Sequence, residues 1–244
     1  MRGFARVFIL TGCLLVAGKA LPLATTQPVL AAFSDMQPGA TIVGWQQMEL
    51  RGRSPAQYKL IAENNETVLQ VTAEQSASAL VHPLAPPASA PGKLEWRWKI
   101  GAHIEASDIT RKSGDDFPAR VYVTFARDRK ELSLAARTRM RLAKLLYNQD
   151  VPAAALCYVW ARDLPVGTMV PNAYSDTVVM VVVRSGGATP SGWQTEQRDL
   201  SADYEAAFGS TAPPATSVIV AADTDDTGAT VRSWFGDITL KPAK

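Results

Sequence analysis

Apolar and charged residues alternate along Leu94-Glu95-Trp96-Arg97-Trp98-Lys99-Ile100, and this segment gives the clearest indication of the fold class. A period of two places successive side chains on opposite faces of a β-strand. The stretch therefore predicts a strand with one face in an apolar core and the other face charged. Such a strand is typical of a β-sandwich.

Many further segments have strand character. Residues 120–125 alternate in the same way, and residues 178–183 are apolar on both faces, which suits a central strand. Turn signals such as Pro213-Pro214 separate short strands, and no alternating helices are visible. The sequence predicts a mainly β antiparallel sandwich or jelly roll, formed by one domain over residues 32–244. The other β-rich runs lie at about 42–50, 57–62, 67–73, 76–81, 155–161, 193–199, 216–222 and 230–241.

One segment has the period of a helix. Between about 128 and 148, apolar residues recur at spacings of three and four, which predicts one inserted amphipathic helix that packs against the sandwich. Residues 127–144 hold seven bases and two acids. The sequence favours a solvated helix face over a patch for anionic lipid headgroups or acidic glycans, because such charged runs are common on protein surfaces. The predicted apolar stripe consists of Leu132, Ala136, Met140, Ala143 and Tyr147.

The N-terminus has the residue order of a secretory signal peptide. Two arginines precede an apolar run at 7–18, and small residues follow. We predict a signal peptide over residues 1–31, with cleavage after Ala20, Ala24 or Ala31, and an exported protein that is periplasmic or secreted. Removal of this segment leaves Cys157 as the only cysteine, so no intrachain disulfide is expected and Cys157 is predicted to be buried.

The charge balance gives no reason to expect a nucleic-acid partner. The chain has 25 basic and 23 acidic residues, but residues 1–31 contribute three bases and no acid. The remaining chain is close to neutral, whereas nucleic-acid binding requires an excess of basic residues.

Signatures of a hydrolase triad or a zinc site are absent from the sequence. The chain has two distant histidines, His82 and His103, and no Gly-x-Ser-x-Gly motif. We expect no cofactor.

Paired carboxylates are the best candidates for a ligand site. Asp115 and Asp116 lie in a loop directly before a predicted strand, which carries Arg120 and Tyr122. If the strand of Arg97 pairs nearby, the five residues would form a polar patch on one sheet face. The arginines would bind acidic or hydroxyl oxygens, and the tyrosine would stack on a ring.

A catalytic alternative uses the same residues. Asp116 would act as a general acid or base in a glycan hydrolase or lyase, beside Arg120 and Tyr122. This role needs a raised carboxyl pKa, which a neighbouring arginine opposes. The sequence therefore favours a binding domain without catalytic activity.

An aspartate-rich loop offers a candidate metal site. Asp223, Asp225 and Asp226 precede Gly228, and alternate oxygen ligands of this kind can bind calcium. An EF-hand needs a glutamate at the position of Trp234, so that motif is excluded. A hairpin between the two flanking strands explains the same residues, with each carboxylate bound to its own turn. We expect this arrangement and no metal.

Tryptophans are a further source of ligand contacts, because their flat rings can support sugar rings. Most of them lie at alternating strand positions, which favours the core. The six tryptophans are at 45, 96, 98, 160, 193 and 234.

Several motifs occur in a recognisable order along the chain, namely 94–99, 114–123, 156–160, 198–199, 203–204, 208–209, the Asp223 loop and 236–238. The order resembles that of the exported bacterial family called domain of unknown function 3047, over about residues 33–241. The resemblance implies a single jelly-roll β-sandwich of the kind seen in carbohydrate-binding modules, with no established activity. We therefore expect a binding domain for a glycan or a cell-envelope component.

Overall fold

The computed structural model describes residues 29–88, 91–147, 151–186 and 192–241. The predicted signal segment lies outside the described residues up to position 28. Thirteen strands and two α-helices lie within the described ranges. The strands are β1 (Val29–Ala31), β2 (Gln46–Glu49), β3 (Gln57–Glu63), β4 (Glu66–Glu74), β5 (Ala77–Ala88), β6 (Lys93–Ile100), β7 (Arg120–Phe125), β8 (Ala155–Ala161), β9 (Met169–Pro171), β10 (Val178–Ser185), β11 (Gln194–Asp199), β12 (Ala215–Asp223) and β13 (Thr230–Lys241), and the helices are α1 (Leu134–Tyr147) and α2 (Leu200–Phe208).

The strands form two sheets that pack face to face. Sheet A has the order β11-β6-β13-β4-β3, and β1 also pairs with β13. Sheet B has the order β2-β5-β12-β7-β8-β10-β9. All pairs between these strands are antiparallel except β8 and β10, which run parallel. The predicted β-sandwich is confirmed, with this one parallel pair as a departure from the antiparallel prediction.

The core lies where β6 of sheet A faces β8 of sheet B. Trp96 and Trp98 are 1% and 0% exposed. The ring centroid of Trp96 lies 5.3 Å from that of Tyr158, and the centroid of Trp98 lies 6.1 Å from that of Trp160. The alternation seen in the β6 sequence therefore corresponds to burial of its apolar face, as predicted.

A second apolar layer covers the outer face of sheet B at β8 and β10. Ile109 and Phe117, from the connection between β6 and β7, pack against Cys157 and Met180. Strand β8 is buried on both faces, which explains its continuous apolar sequence. The predicted burial of Cys157 is confirmed, and this burial raises the pKa of its thiol to about 12.

Helix α1 begins later than predicted, at Leu134 rather than about 128. Ser133 caps it, because the Ser133 hydroxyl accepts a hydrogen bond from the amide of Ala136 at 3.1 Å. A short 3-10 turn at Arg129–Glu131 precedes the cap. Ala136 and Met140 pack in a small apolar cluster with Ala153, as the stripe predicted. The side chains of the stripe residues 143 and 147 lie outside the described set.

Helix α2 was not predicted from the sequence, so the expectation of one helix is wrong. The Asp199 carboxylate accepts hydrogen bonds from the amides of Ser201 and Ala202, and Gly209 ends the helix with a φ of 70°. These are ordinary helix signals, but they bound only nine residues. Neither helix in the described part of the chain is long and apolar enough to cross a membrane.

Strand β1 bears on the cleavage site of the predicted signal peptide. Its residues pair with β13, and Ala31 is 1% exposed. Cleavage after Ala31 would remove this strand from sheet A. The predicted sites after Ala20 and Ala24 would leave the sheet complete.

The Asp223 loop does not join a hairpin, which corrects the prediction. Strand β12 belongs to sheet B and β13 belongs to sheet A, so residues 224–229 cross between the sheets. Gly228 has a φ of 71° and donates its amide to the carbonyl of Thr224 at 2.9 Å. The expected positive φ is therefore present in a turn between sheets.

Gly228→Ala is expected to lower the free energy of unfolding by about 1 kcal/mol, because an L side chain at positive φ strains the backbone. A Cβ at this position would meet no atom within 4 Å, so strain is the only cost. Urea denaturation measures the loss. Gly228→Asn is the control, since asparagine tolerates this conformation and should cost less. An alanine variant as stable as the parent would contradict the argument.

Candidate functional site

A buried charge cluster lies on the outer face of sheet B, centred on Arg120 of β7. The Arg120 side chain donates from Nε to Asp223 Oδ1 at 2.9 Å, and its Nη2 lies 2.8 Å from Asp223 Oδ2. It also donates to the carboxylate and the carbonyl of Asp115, and to the Tyr122 hydroxyl at 3.2 Å. Arg120 is 1% exposed. We refer to Arg120, Asp115, Asp116, Tyr122 and Asp223 as the Arg120 cluster.

The carboxylates of the Arg120 cluster bind three connecting segments on the outer face of sheet B. Asp116 Oδ2 accepts hydrogen bonds from the amide and hydroxyl of Thr227, each at 2.6 Å. Asp115 Oδ2 accepts from the Asn172 amide group at 2.8 Å, and Asp223 Oδ1 accepts from the amide of Phe117 at 3.0 Å. The Asp115-Asp116 loop, the segment of Asn172 and the Asp223 loop are thereby joined through carboxylates.

The structure corrects the predicted polar patch. Asp115, Asp116, Arg120 and Tyr122 do come together, but Asp115 and Asp116 are 6% and 0% exposed, so they form a buried network rather than an open surface. Arg97 lies on β6 in sheet A, whereas Arg120 lies on β7 in sheet B. The five residues share no sheet face because the chain crosses between sheets after β6.

Burial of the cluster also affects the catalytic alternative. A general acid or base must reach the proton that it transfers. Asp116 is 0% exposed and its carboxylate accepts hydrogen bonds from Thr227, so its position does not favour this role.

The electrostatics of the cluster are dominated by desolvation. Burial raises the pKa of Asp223 to about 7, and the charges of Asp115 and Asp116 act in the same direction. Arg120 and the amide of Phe117 oppose this shift. Burial likewise raises the pKa of Tyr122 well above its usual value, so its hydroxyl stays protonated.

The carboxylates nearest one another differ from the set suggested by the sequence. Oxygen atoms of Asp116, Asp223 and Asp225 lie within 4.8 Å of one another. Asp226 instead accepts from the Tyr174 hydroxyl at 2.8 Å. Sequence reasoning did not include Asp116 in the candidate metal site, because Asp116 is distant in the chain and comes close to the Asp223 loop only in the folded protein.

Each of the three carboxylates already has a strong donor. Asp225 pairs with Arg53 at 2.9 Å, Asp223 pairs with Arg120, and Asp116 accepts from Thr227. Calcium requires six to eight oxygen ligands, roughly, in its coordination shell. The prediction that each carboxylate of the loop binds its own turn is wrong, because their partners lie in other segments of the chain. That the loop needs no metal stays a prediction.

The outer face of sheet A carries a different arrangement of side chains. Trp234 of β13 pairs with Lys99 of β6 on one side and with Gln70 of β4 on the other. Gln70 pairs in turn with Lys59 of β3, and the ring of Trp193, directly before β11, lies beside Lys99. These five residues form one row across the sheet, which we call the tryptophan row.

The two tryptophans of the row flank cationic side chains. Lys99 Nζ lies 4.3 Å from the Trp234 ring centroid and 5.4 Å from that of Trp193. Arg97 Cζ lies 4.8 Å from the Trp193 centroid. The side chain of Arg97 crosses β13 at Gly236, where a Cβ would overlap Arg97 Nε. A side chain at 236 would therefore displace Arg97.

The six tryptophans divide into two groups in the structure. Those at 45, 96, 98 and 160 are buried, in agreement with the core prediction. Trp193 and Trp234 are partly exposed on the outer face of sheet A. Alternation along β13 orients Trp234 opposite to Phe235, but only the pairing of β11, β6 and β13 brings the two rings into one row.

A family model described as protein of unknown function (DUF3047) matches residues 43–239. The chain belongs to the DUF3047 family. The resemblance noted in the sequence is therefore confirmed. No curated protein matches this DUF3047 chain.

Several solved structures resemble the DUF3047 domain at low sequence identity. A family 11 carbohydrate-binding module from Clostridium thermocellum, in complex with a β-1,3-1,4-mixed-linked tetrasaccharide, has 10% identity and a TM-score of 0.42, with 89% of this chain and 96% of that chain covered. The CBM22-1 xylan-binding domain of Paenibacillus barcinonensis Xyn10C has 14% identity and a TM-score of 0.36, with 89% and 97% covered. A β-1,2-glucanase from Parabacteroides distasonis has 13% identity and a TM-score of 0.41, with 89% and 25% covered.

The stability of the DUF3047 domain is expected to fall as the pH rises from about 4 to about 7. The pKa of Asp223 is about 7 in the folded state, against about 3.9 when unfolded, so the folded state binds the proton more tightly in this interval. Burial raises the pKa of Asp225 in the same direction. Urea unfolding at several pH values measures the slope.

Asp223→Asn should flatten this pH dependence, because asparagine does not titrate. Asp163→Asn, at an exposed carboxylate outside the cluster, should leave the slope unchanged. A stability that increases over the interval, or an unchanged slope in Asp223→Asn, would refute the assignment to Asp223.

Calcium is expected to leave the melting temperature unchanged. A chelator followed by millimolar calcium tests this, with Asp225→Asn as the comparison. A cation that bound only the folded state would raise the melting temperature by mass action. A rise of several degrees in the parent, absent from Asp225→Asn, would show that Asp116, Asp223 and Asp225 form a metal site.

Proposed function

We propose that this DUF3047 protein is an exported glycan-binding domain without catalytic activity, and that its ligand lies over the tryptophan row on sheet A. One observation carries the proposal. Trp193 and Trp234 lie on the outer face of this sheet, two strands apart, with Lys99 between them.

Partly exposed indole rings favour a sugar ligand. An indole offers a large apolar surface, and a pyranose ring has an apolar face of C–H groups that can stack on it. The two rings are separated by two strand spacings, about 10 Å. A chain of sugar rings that runs across the strands would contact both indoles.

Polar side chains beside the rings would supply hydrogen bonds to hydroxyl groups. Gln70 and Lys59 continue the row beyond Trp234. The row spans five strands, about 19 Å at the usual strand spacing. This length suits an extended oligosaccharide of several rings.

The charges on this face favour a neutral glycan over a strongly acidic one. Arg97 forms an ion pair with Glu66, and Lys99 forms one with Glu63. These cations are already compensated, so an added anion would compete with the two glutamates. Paired carboxylates and cations can still accept and donate hydrogen bonds to hydroxyl groups.

Export is part of the proposal because the sequence predicts a signal peptide. An exported domain would meet glycans outside the cytoplasm. Cell fractionation of the full chain tests this step. Recovery of the protein only in the cytoplasm, with its N-terminal segment intact, would refute export while leaving the binding surface to be tested separately.

Trp193→Ala combined with Trp234→Ala is expected to weaken glycan binding by about tenfold or more, because both stacking surfaces are lost. Affinity electrophoresis against a neutral β-glucan, a xylan and an acidic polygalacturonate measures binding. The parent should bind a neutral glycan best.

The matched control for the tryptophan row is Tyr174→Ala. It removes an aromatic residue that is 50% exposed and bonded to the Asp223 loop, outside sheet A. This variant should bind as the parent does. Equal binding by the double tryptophan variant, or no binding of any neutral glycan by the parent, would refute the proposed site.

A further inference from the structure

Helix α1 exposes apolar side chains where a helix on a globular domain normally has polar ones. Ala136 and Met140 occupy its buried side. Leu134, Thr138 and Leu142 follow at spacings of four on the opposite side. Leu134 is 75% exposed and Leu142 is 49% exposed. Two large apolar side chains of the helix therefore face the solvent, on the side away from the apolar cluster.

The only polar residue in this outward line is satisfied within the helix. The hydroxyl of Thr138 donates a hydrogen bond to the carbonyl of Leu134 at 2.9 Å. The Thr138 hydroxyl therefore has little need of a hydrogen bond to water on the exposed side of the helix. We refer to Leu134 and Leu142 as the apolar pair.

Basic residues are frequent in helix α1 and in the turn before it. Residues 127–144 carry seven bases and two acids. Arg127 pairs with Glu131, and Arg139 pairs with Asp176. The remaining exposed bases that form no ion pair with another described residue are Arg129, Lys130 and Arg141, which we call the basic set.

We propose that α1 and the turn before it dock this protein onto an anionic phospholipid bilayer. Cationic side chains are attracted to anionic headgroups, and leucines at the helix apex can enter the boundary between headgroups and acyl chains. A helix that lies in the interface needs both features.

The exposed leucines distinguish a bilayer from other anionic partners. An acidic polysaccharide would use the basic set, but it has no apolar layer in which the apolar pair could be buried. A bilayer removes both leucines from water and pairs the bases with phosphate groups at the same time. This surface is independent of the tryptophan row on sheet A.

Co-sedimentation with phospholipid vesicles tests the docking surface. The protein used is the whole chain without its predicted signal peptide. The vesicles contain phosphatidylglycerol and phosphatidylcholine in equal parts, or phosphatidylcholine alone. Binding to the mixed vesicles is expected, with binding to pure phosphatidylcholine weaker by about tenfold or more, since the electrostatic attraction is lost.

Two variants separate the charged and apolar contributions. Replacement of the basic set by glutamine, and separately of the apolar pair by serine, should each weaken binding to mixed vesicles by about tenfold. Both changes lie at exposed positions, so the melting temperature should change little.

Matched control variants replace exposed basic and apolar residues that lie outside α1. Arg51, Lys93 and Arg162 are exposed bases outside α1, and Val43 and Val166 are 72% and 61% exposed. Glutamine at the three bases, and serine at the two valines, should leave vesicle binding unchanged. The double tryptophan variant should also bind vesicles as the parent does, which keeps this test separate from glycan binding.

Three outcomes would overturn the inference. Failure of the parent protein to sediment with mixed vesicles would do so, and so would control variants that lose as much binding as the α1 variants. Binding to soluble polygalacturonate that depends on the basic set but not on the apolar pair, without vesicle binding, would identify the surface as a site for acidic glycans.

Discussion

The buried guanidinium of Arg120 is the constraint around which one side of this protein is organised. A charged group removed from water must be paired and hydrogen-bonded, because an uncompensated buried charge costs about 3–5 kcal/mol. That cost is large beside a typical total stability of about 5–15 kcal/mol. Arg120 meets the requirement with Asp223, Asp115 and the Tyr122 hydroxyl. Its partners come from segments that would otherwise lie apart.

The pairing of Arg120 with its carboxylate partners determines which sheet has a loop packed over its outer face. The loop that carries Asp115 and Asp116 must lie over β7 and β8 to reach Arg120, and it brings Phe117 and Ile109 onto the outer face of sheet B. That part of the outer face becomes a second apolar layer. Sheet A has no equivalent cover over the tryptophan row, so its outward side chains remain partly open to solvent among the described residues.

The two proposed surfaces follow from this division of the molecule. The open face of sheet A presents rings and compensated charges, which suit a polysaccharide of low charge. Helix α1 and the turn before it present exposed leucines and three bases, Arg129, Lys130 and Arg141, that form no ion pair with another described residue, which suits an anionic bilayer. A domain with both surfaces would hold a glycan close to a membrane, and neither surface requires a catalytic group.

Local sequence patterns determined most of the secondary structure. Alternation in β6, β7 and β13 was sufficient to predict those strands, because the period of two is a property of the extended chain itself. The apolar stripe of α1 was equally local. The patterns failed for α2 and for the three-residue strands β1 and β9, because such short elements contain too few residues to establish a period and are held by tertiary contacts.

Sequence patterns were sufficient to predict the β-sandwich class, the DUF3047 resemblance, the core role of Trp96 and Trp98, and the burial of Cys157. The location of Arg97 and Arg120 in different sheets became evident from the folded chain alone. Pairing between distant strands controls that assignment, and alternation says which residues share a face of one strand without saying which strands are neighbours. For the same reason, the sequence did not show which polar residues are buried structural groups and which are exposed ligand contacts. That distinction depended on the fold as a whole.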